Sequence, residues 1–243
     1  MDIKLPITIL PQPDNTTCGP TCLHAVYHYY NDRVALPEVI ADTQMLDAGG
    51  TLAVFLACAA LRRGYEATIY TYNLQMFDPS WFGIPEVNIS ERLQRQAGMK
   101  QDAKLQHATR GYLEFLEHGG RLRFTELTTR LLRNIMRKQL PILTGLSATY
   151  LYRTQREFGP EDEYDDVRGF PSGHFVVLSG YHKADRTVLI ADPQLPNPVA
   201  PTQLYPVNID RVICAILLGV LTYDANLLVI HPRRPSDMNR QLI

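Results

Sequence analysis

A cysteine lies at the start of a predicted apolar helix near the amino terminus. Residues 12–30 read QPDNTTCGPTCLHAVYHYY, and apolar side chains recur behind Cys18 with the period of a helix. A helix N-terminus carries partial positive charge and free N–H groups, which favour a thiolate over a thiol. Gly19 would let the backbone approach a substrate closely, and Pro20 suits a first helical turn. These neighbours predict that Cys18 is a nucleophile.

A thiolate nucleophile needs a base that moves protons and a group that orients this base. Of the seven histidines, His174 opens a predicted strand, HFVVLSGY, directly after a glycine. A second run, TVLIADP, follows the polar turn HKADR, so the two runs predict an antiparallel hairpin. A turn centred near residue 183 would bring Asp192 beside His174, to within about two residues of register. The sequence thus predicts a cysteine, a histidine and a carboxylate in one site.

Acyl transfer also needs hydrogen-bond donors that stabilise the oxyanion of the transition state, commonly a side-chain amide and a backbone N–H. Gln12 lies a few residues before Cys18, in the turn that precedes the predicted helix. Its amide and the backbone N–H of Cys18 meet this requirement. We therefore predict that Gln12 is an oxyanion donor.

The motif Q-x5-C-G-P-x-C, with a late G-H-F-V-V and A-D-P, resembles the C39-like cysteine peptidases, which have a papain-like fold. The match covers about residues 11–30 and 173–193, with weaker similarity through DAGGTLAVFLACAALRRGY. The resemblance implies four functional positions: the nucleophile Cys18, the general base and acid His174, the orienting residue Asp192 and the oxyanion donor Gln12. We expect a stand-alone form, because no transporter or nucleotide-binding segment is evident.

The predicted reaction is cysteine-dependent hydrolysis of a peptide or amide bond through a thioester acyl-enzyme, with no metal or organic cofactor. An acyl or aminoacyl transferase would use the same Cys-His-Asp site, and an amine instead of water would resolve the acyl-enzyme. A catalytically silent peptide-binding module is a third reading. In that case iodoacetamide should not prefer Cys18 over the other cysteines.

Other residues with chemical potential have simpler interpretations. Small buried cysteines are usually packing residues, and we assign this role to Cys22, Cys58 and Cys214. His24 and His28 have a spacing that can hold a metal, but a third ligand is not recognisable, so packing or surface exposure is favoured.

A run of acidic residues precedes His174 in the segment from 153 to 172, which lacks apolar periodicity and therefore reads as an exposed loop. Such a run is usually a solvated loop. Its position also suggests that it attracts a basic peptide or a free amine. The run consists of Glu161, Asp162, Glu163, Asp165 and Asp166.

Composition limits the class of protein. The chain has 243 residues, 45% hydrophobic and 20% charged, with a formal net charge of −1, so neither nucleic acid nor a membrane surface is expected as a partner. Its start, MDIKLPITIL, does not read as a secretory signal, and VICAILLGVL is too short to span a bilayer. Four cysteines in a chain of this size do not indicate a disulfide framework, so we predict a cytoplasmic protein.

The elements alternate between helices and antiparallel strands, which predicts the α+β class, here a papain-like fold with an N-terminal nucleophile helix and an antiparallel sheet. We predict a single domain over 1–243 with a helical insertion at about 75–120. Helices are expected at 18–30, at 125–138, at 210–218 and after Thr51, which reads as an N-cap residue. Strands are expected at 65–72, at 141–149, in the hairpin and at NLLVI.

Overall fold

Helices and strands alternate along the computed structural model, which describes residues 2–47 and 49–233. The helices within these residues are α1 (Cys18–Tyr29), α2 (Leu36–Asp42), α3 (Ala53–Arg62), α4 (Ile89–Met99), α5 (Ala103–Glu117), α6 (Thr129–Arg137), α7 (Ala148–Tyr152) and α8 (Ile209–Leu218). The strands are β1 (Ile3–Lys4), β2 (Tyr65–Thr71), β3 (Arg121–Arg123), β4 (Ile142–Ser147), β5 (Glu157–Phe158), β6 (Glu163–Tyr164), β7 (Gly173–His182), β8 (Thr187–Ala191), β9 (Leu204–Asn208) and β10 (Asn226–Pro232). The predicted α+β class is confirmed.

One sheet organises the fold, with strand order β3-β2-β10-β4-β7-β8-β9, and β1 pairs with β7 beyond the end of β4. Every pair is antiparallel except β2 with β3, so the predicted antiparallel sheet is mixed at one edge. The late strand β10 lies between β2 and β4 rather than at an edge. The segment after residue 200 therefore completes the sheet.

Both faces of the sheet are covered by helices. Neighbouring residues of β7 alternate between two hydrophobic clusters, with Phe175 and Val177 in the cluster of α1 and α3, and Val176 and Leu178 in that of α6 and α8. This alternation follows from the two-residue period of a strand. It explains why HFVVLSGY reads as a continuous apolar run.

The hairpin of β7 and β8 forms, with a register two residues from the predicted one. Val177 pairs with Ala191, so Asp192 continues opposite Val176 rather than opposite His174. The pairing shifts once, at a β-bulge between Leu178 and Gly180. A displacement of two residues keeps a strand's side chains on the same face, which is why the difference does not separate Asp192 from His174.

The start of α3 differs from the prediction. Thr51 is not its N-cap, because its hydroxyl donates to the carbonyl of Gln44 at 2.7 Å and the helix begins at Ala53. The Ala53 N–H instead donates to the carboxylate of Asp224 at 3.0 Å. A residue far along the chain thus caps this helix.

The stretch predicted as a helical insertion contains α4 and α5. Helix α5 packs closely on α3 at Gly111, where an added Cβ would lie 2.5 Å from the ring of Phe55. These helices therefore belong to the hydrophobic core on the face of the sheet that α1 and α3 cover. That the stretch is an insertion into a single domain stays a prediction.

Several elements were not predicted. The helices α2 and α7 and the strands β1, β3 and β9 have too few residues to show a period. The loop predicted at 153–172 carries the two-residue strands β5 and β6, which form a small separate hairpin. None of the helices within residues 2–47 and 49–233 combines the length and the apolar character that crossing a membrane requires.

Gly19 is fully packed, which corrects the prediction that it serves backbone access to a substrate. A Cβ at this position would lie 2.6 Å from Cγ2 of Thr51, and 3.2 Å from side-chain atoms of Leu56 and Phe175. Glycine is needed because α1 approaches α3 and β7 closely at this point. It therefore fixes the position of the helix that begins with Cys18.

Replacing Gly19 by alanine should lower the free energy of unfolding by about 1–3 kcal/mol, because the methyl group overpacks the contact. The matched control is Gly98→Ala in α4, where an added Cβ meets open space. That change should raise the free energy of unfolding by about 0.5–1 kcal/mol. Urea unfolding of both variants checks the prediction, and equal effects would contradict it.

Candidate active site

Cys18 is the first residue of α1 and is 8% exposed. The chain turns into this helix at Asp14, whose Oδ1 accepts from the backbone N–H and the hydroxyl of Thr16 at 2.8 and 2.7 Å. Such a turn at the side chain of an aspartate is a common entry into a helix. The predicted nucleophile therefore lies where a helix N-terminus favours negative charge.

His174 and Asp192 meet directly. The His174 Nε2 and the Asp192 Oδ1 are 2.8 Å apart, and their side chains are 7% and 0% exposed. Cys18 lines the same cavity as His174, and its sulfur acts on the charge of the imidazole. Because Nε2 faces Asp192, Nδ1 is the ring nitrogen that remains for Cys18. Cys18, His174 and Asp192, which the sequence predicts to share one site, therefore lie close together in the structure.

The Asp192 carboxylate is fully satisfied by donors. Its Oδ1 accepts from His174 and from the Gln194 N–H at 2.9 Å, and its Oδ2 accepts from Tyr152, Asn197 and Tyr205 at 2.8, 2.9 and 2.5 Å. Burial by itself raises the pKa of Asp192, but His174 and these donors outweigh it and lower the pKa below its ordinary value. Asp192 is therefore held as an anion.

The charge of His174 follows from its two neighbours. Burial alone lowers the pKa of the imidazole, but the Asp192 carboxylate and the Cys18 sulfur outweigh it and raise the pKa to about 10. The imidazolium is thus favoured at neutral pH. A protonated histidine between a sulfur and a carboxylate can stabilise a thiolate and later give its proton to a leaving amine.

Gln12 lies beside the same residues. Its backbone N–H donates to the Pro193 carbonyl at 2.9 Å, which ties the Gln12 loop to the residue after Asp192. Its Oε1 is buried, and among the described residues it has no hydrogen-bond partner. The unpartnered atom is the acceptor of this amide, whereas the predicted oxyanion donor would be its NH₂ group.

Two cavities adjoin His174. The Gln12 cavity, of about 340 Å³, is lined by Gln12, Asn15, Ala148, Tyr152, Glu157, Glu161, Asp162, Tyr164, Ser172, Gly173, His174, Gln194 and Pro198. The Asp224 cavity, of about 290 Å³, is lined by Asn15, Thr16, Cys18, Leu46, Gly49, Gly50, Thr51, Lys104, Gly145, Leu146, Glu157, Asp162, Gly173, His174, Phe175, Thr222 and Asp224. Only the second includes Cys18 among the residues described.

Part of the acidic run reaches the cavities. Glu161 lines the Gln12 cavity, and Asp162 lines both. Asp165 is engaged within the loop, where it accepts from the backbone and guanidinium of Arg168, and these bonds lower the pKa of Asp165 to about 2. Glu157, which the sequence prediction did not include, lines both cavities, and burial raises its pKa.

The remaining cysteines differ from one another. Cys22 and Cys58 are buried, and their thiols contact the carbonyls of Phe175 and Gly111, as expected for packing residues. Cys214 is exposed, so its predicted packing role is wrong. It lies on the outer side of α8, whose inward residues include Val212, Ala215 and Ile216.

The predicted histidine pair packs within the first helix. The rings of His24 and His28 are 4.2 Å apart between centroids, and His28 contacts the carbonyl of Val34. Burial and the neighbouring His28 lower the pKa of His24. Across the part of the chain that the structure describes, no three His, Cys, Asp or Glu side chains come together as metal ligands.

Comparisons with known proteins identify the family and the fold. Residues 4–200 match the Peptidase_C39 like family. The chain belongs to this family. The fold is similar to that of a protein described as a C39-like peptidase from Bacillus anthracis, with a TM-score of 0.51, 13% identity, and coverage of 96% of this chain and 98% of that one.

Two further solved structures are similar at lower scores. One is a double glycine motif protease from an AMS/PCAT transporter in complex with its leader peptide (TM-score 0.45, 16% identity, 95% and 94% coverage). The other is the peptidase domain of Streptococcus ComA, a bifunctional ABC transporter (TM-score 0.44, 13% identity, 93% and 99% coverage). No curated protein matches the chain.

Three residues that position Asp192 were missed by sequence reasoning. Tyr152 ends α7, Asn197 lies in the loop after β8, and Tyr205 lies in β9. Burial and the adjacent carboxylate raise the pKa of Tyr152 and of Tyr205, so both remain neutral donors. The ring of Tyr152 also packs against His174, with centroids 5.9 Å apart. Nothing in their local sequence distinguishes them from ordinary tyrosines and asparagines.

Replacing Tyr152 by phenylalanine should reduce turnover about tenfold and the free energy of unfolding by about 1–2 kcal/mol, because one donor to a buried carboxylate is lost. Tyr150→Phe is the matched control, since Tyr150 lies on the same helix and is 43% exposed. Steady-state rates and urea unfolding of both variants test this. Equal rates for the two variants would argue against a positioning role of Tyr152.

Proposed function

We propose that this chain hydrolyses a peptide or amide bond through a thioester on Cys18. The observation that carries the proposal is the 2.8 Å hydrogen bond from His174 to Asp192, with Cys18 and His174 in the lining of one cavity. Membership of the Peptidase_C39 like family supports it. The reaction needs a nucleophile, a proton carrier and an orienting group, and these three residues have the required chemistry.

In the proposed mechanism, the Cys18 thiolate attacks the substrate carbonyl carbon. The Gln12 amide and the Cys18 N–H donate to the oxyanion that forms. As the carbon–nitrogen bond breaks, His174 gives its proton to the departing amine. Water then attacks the thioester, His174 takes one proton from it, and the acid leaves while Cys18 returns to the thiolate. Asp192 keeps the imidazole oriented and favours its charged form.

A peptide is the proposed substrate, and a basic one is favoured by the acidic residues of the two cavities. Glu157 and Asp162 line both cavities, and Glu161 lines the Gln12 cavity. Opposite charges raise the local concentration of a cationic ligand. The free thiols suit a reducing compartment, so a cytoplasmic location remains part of the proposal.

The same acidic lining supports aminoacyl or acyl transfer as a second candidate. An amine in the Gln12 cavity would lie next to His174, the residue that would take its proton. Product analysis with added amines separates the two reactions. A transfer product in place of free acid would identify a transferase, and free acid alone a hydrolase.

Covalent capture tests the proposal itself. The protein is incubated with a library of electrophilic peptides, and mass spectrometry identifies the cysteine that carries the adduct. We expect modification of Cys18 to exceed that of exposed Cys214 at least about tenfold, since an activated thiolate reacts faster than an ordinary thiol. Equal modification of the two cysteines would refute the proposal in favour of a silent binding module.

A further inference from the structure

The Asp224 cavity contains a buried carboxylate that the proposed reaction does not use. Asp224 is 5% exposed and lines the same cavity as Cys18. The carboxylate lies over Gly145 of β4, where an added Cβ would be 2.7 Å from its Cγ. The strand thus has a glycine at the place where the carboxylate needs room.

The donors to Asp224 are both neutral. Its Oδ2 accepts from the Ala53 N–H at 3.0 Å, and its Oδ1 accepts from the Asn226 side-chain amide at 2.8 Å. A carboxylate has about four acceptor positions, so both oxygens can accept more. Burial raises the pKa of Asp224 to about 7, although both hydrogen bonds and Lys104 act in the opposite direction. Among the described residues, the direct partners of Asp224 therefore do not balance a negative charge on its carboxylate.

Capping of α3 does not account for this charge. Asparagine, serine or threonine caps a helix about as well as aspartate does. Burying a carboxylate without a cation costs free energy that a neutral capping side chain would not cost. Capping of α3 therefore does not require a carboxylate at this position, whereas a cation supplied by a ligand would favour the charged form of Asp224.

The other charged groups of the cavity agree with a cationic ligand. Glu157 and Asp162 also line it, against Lys104 and His174, and the charge of His174 is already paired with Asp192. The Lys104 ammonium donates to the Thr222 carbonyl at 3.3 Å and lies 5.2 Å from the centre of the Tyr223 ring, which keeps it at the rim. A volume of about 290 Å³ is at the small end for ligand sites and suits one side chain.

We infer that the Asp224 cavity binds a lysine or arginine side chain of the substrate peptide, next to the bond that Cys18 attacks. The inference rests on the proposed function, because the same peptide must present its carbonyl to Cys18. Asp224 would then determine specificity: its carboxylate forms a charge-assisted hydrogen bond with the cationic side chain. Because Cys18 and Asp224 share one cavity, the recognised residue lies close to the scissile bond.

Matched electrophilic peptides test the inference. Two pairs of vinyl sulfone peptides are used, one pair for each of the two residues nearest the electrophile. Within a pair, the peptides differ only in having lysine or uncharged norleucine at that residue. The rate of Cys18 modification is followed by mass spectrometry. At one position the lysine peptide should react about tenfold faster, as expected for one charge-assisted hydrogen bond.

Asp224→Asn should reduce this preference to about twofold or less, because the amide keeps the shape and loses the charge. Modification of Cys18 by iodoacetamide should stay unchanged. Asp166→Asn is the control, since Asp166 is an exposed acid of the loop at 153–172 and is not among the residues that line either cavity. It should retain the full preference for lysine.

A second variant covers the case in which Asp224→Asn weakens the cap of α3 so far that the protein does not fold. Lys104→Gln keeps a donor for the Thr222 carbonyl and removes the competing cation, so the lysine preference should rise about threefold. An unchanged or smaller preference in this variant would overturn the inference, as would a preference for lysine that survives in folded Asp224→Asn.

The outcomes also distinguish this inference from the proposed function. If iodoacetamide and both peptides modify Cys18 selectively but lysine gives no advantage, the cation site is wrong and the cysteine chemistry stands. If no electrophile prefers Cys18, the proposed function is wrong, and the inference falls with it.

Discussion

Replacing Cys18 by alanine is expected to lower peptide or amide turnover at least about 10³-fold, because the acyl-enzyme can no longer form. The loss should be nearly complete in kcat. The free energy of unfolding should fall by only about 1 kcal/mol, since Cys18 belongs to the cluster of α1 and α3 but alanine removes only its sulfur atom. Steady-state kinetics and urea unfolding of the same preparation check both parts.

Cys214→Ala is the matched control for this variant. Cys214 is exposed on α8, on the outer side of a helix that packs against the other face of the sheet. Its loss should leave turnover within about twofold, as is usual for surface substitutions. If Cys18→Ala keeps more than a tenth of the wild-type rate while Cys214→Ala loses activity, the nucleophile has been assigned to the wrong cysteine.

The contact between His174 and Asp192 could be predicted from the sequence because a hairpin is a local structure. The two residues are separated by a short turn, and the period of a strand fixes which side chains share a face. Even a register two residues from the predicted one keeps them on the same face. Cys18 could be predicted because a helix start has recognisable residues, but its contact with His174 required the fold.

The surroundings of Asp192 could not be predicted from the sequence. Tyr152, Asn197 and Tyr205 come from a short helix, a loop and a short strand, none long enough to show a period. Their convergence on one carboxylate depends on the packing of α7 against β7 and on the pairing of β9 with β8. The same is true of Asp224, because β10 reaches the middle of the sheet and leaves Asp224, two residues before the strand, beside the start of α3.

Gly19 lies at a close backbone contact, as predicted, but the contact is with the protein core and not with a substrate. A glycine next to a nucleophile reads as access for a substrate, but here the missing side chain makes room for Thr51, Leu56 and Phe175. These neighbours come from elements distant in sequence. Residue type and spacing indicate where the backbone must pass closely, whereas the partner in the close contact is set by tertiary packing.

Replacing Asp192 by asparagine should lower turnover by roughly 10²–10⁴-fold, because the imidazole loses the group that orients it and favours its charged form. Its effect on pH dependence should be the more diagnostic result. In the wild type the pKa of His174 is about 10, raised by the Asp192 carboxylate and the Cys18 sulfur against the opposing effect of burial. Without the carboxylate, burial should bring this pKa down.

The descending alkaline limb of kcat should therefore begin at lower pH in Asp192→Asn, by at least about one unit, since proton donation to the leaving amine requires the imidazolium. A profile of peptide amide hydrolysis from neutral pH to above pH 10 measures the shift. Asp166→Asn, which changes an exposed acid in the loop before His174, should leave the limb in place. A limb that does not move in Asp192→Asn would show that Asp192 does not control the protonation of His174.

Unfolding experiments give an independent test of the same ion pair. The pKa of Asp192 is lowered in the folded protein by His174 and the surrounding donors, against the effect of burial. A carboxylate of this kind stabilises the fold above its unfolded pKa of about 3.9, and this contribution is lost as the pH falls through the folded pKa.

At pH 7 Asp192→Asn should thus be less stable by about 3 kcal/mol, the cost of breaking a buried pair. Because acid protonates the wild-type carboxyl, the gap in the free energy of unfolding between the two proteins should narrow as the pH falls below about 4. A gap that stays constant between pH 7 and pH 3 would mean that Asp192 contributes through packing alone and not through its charge.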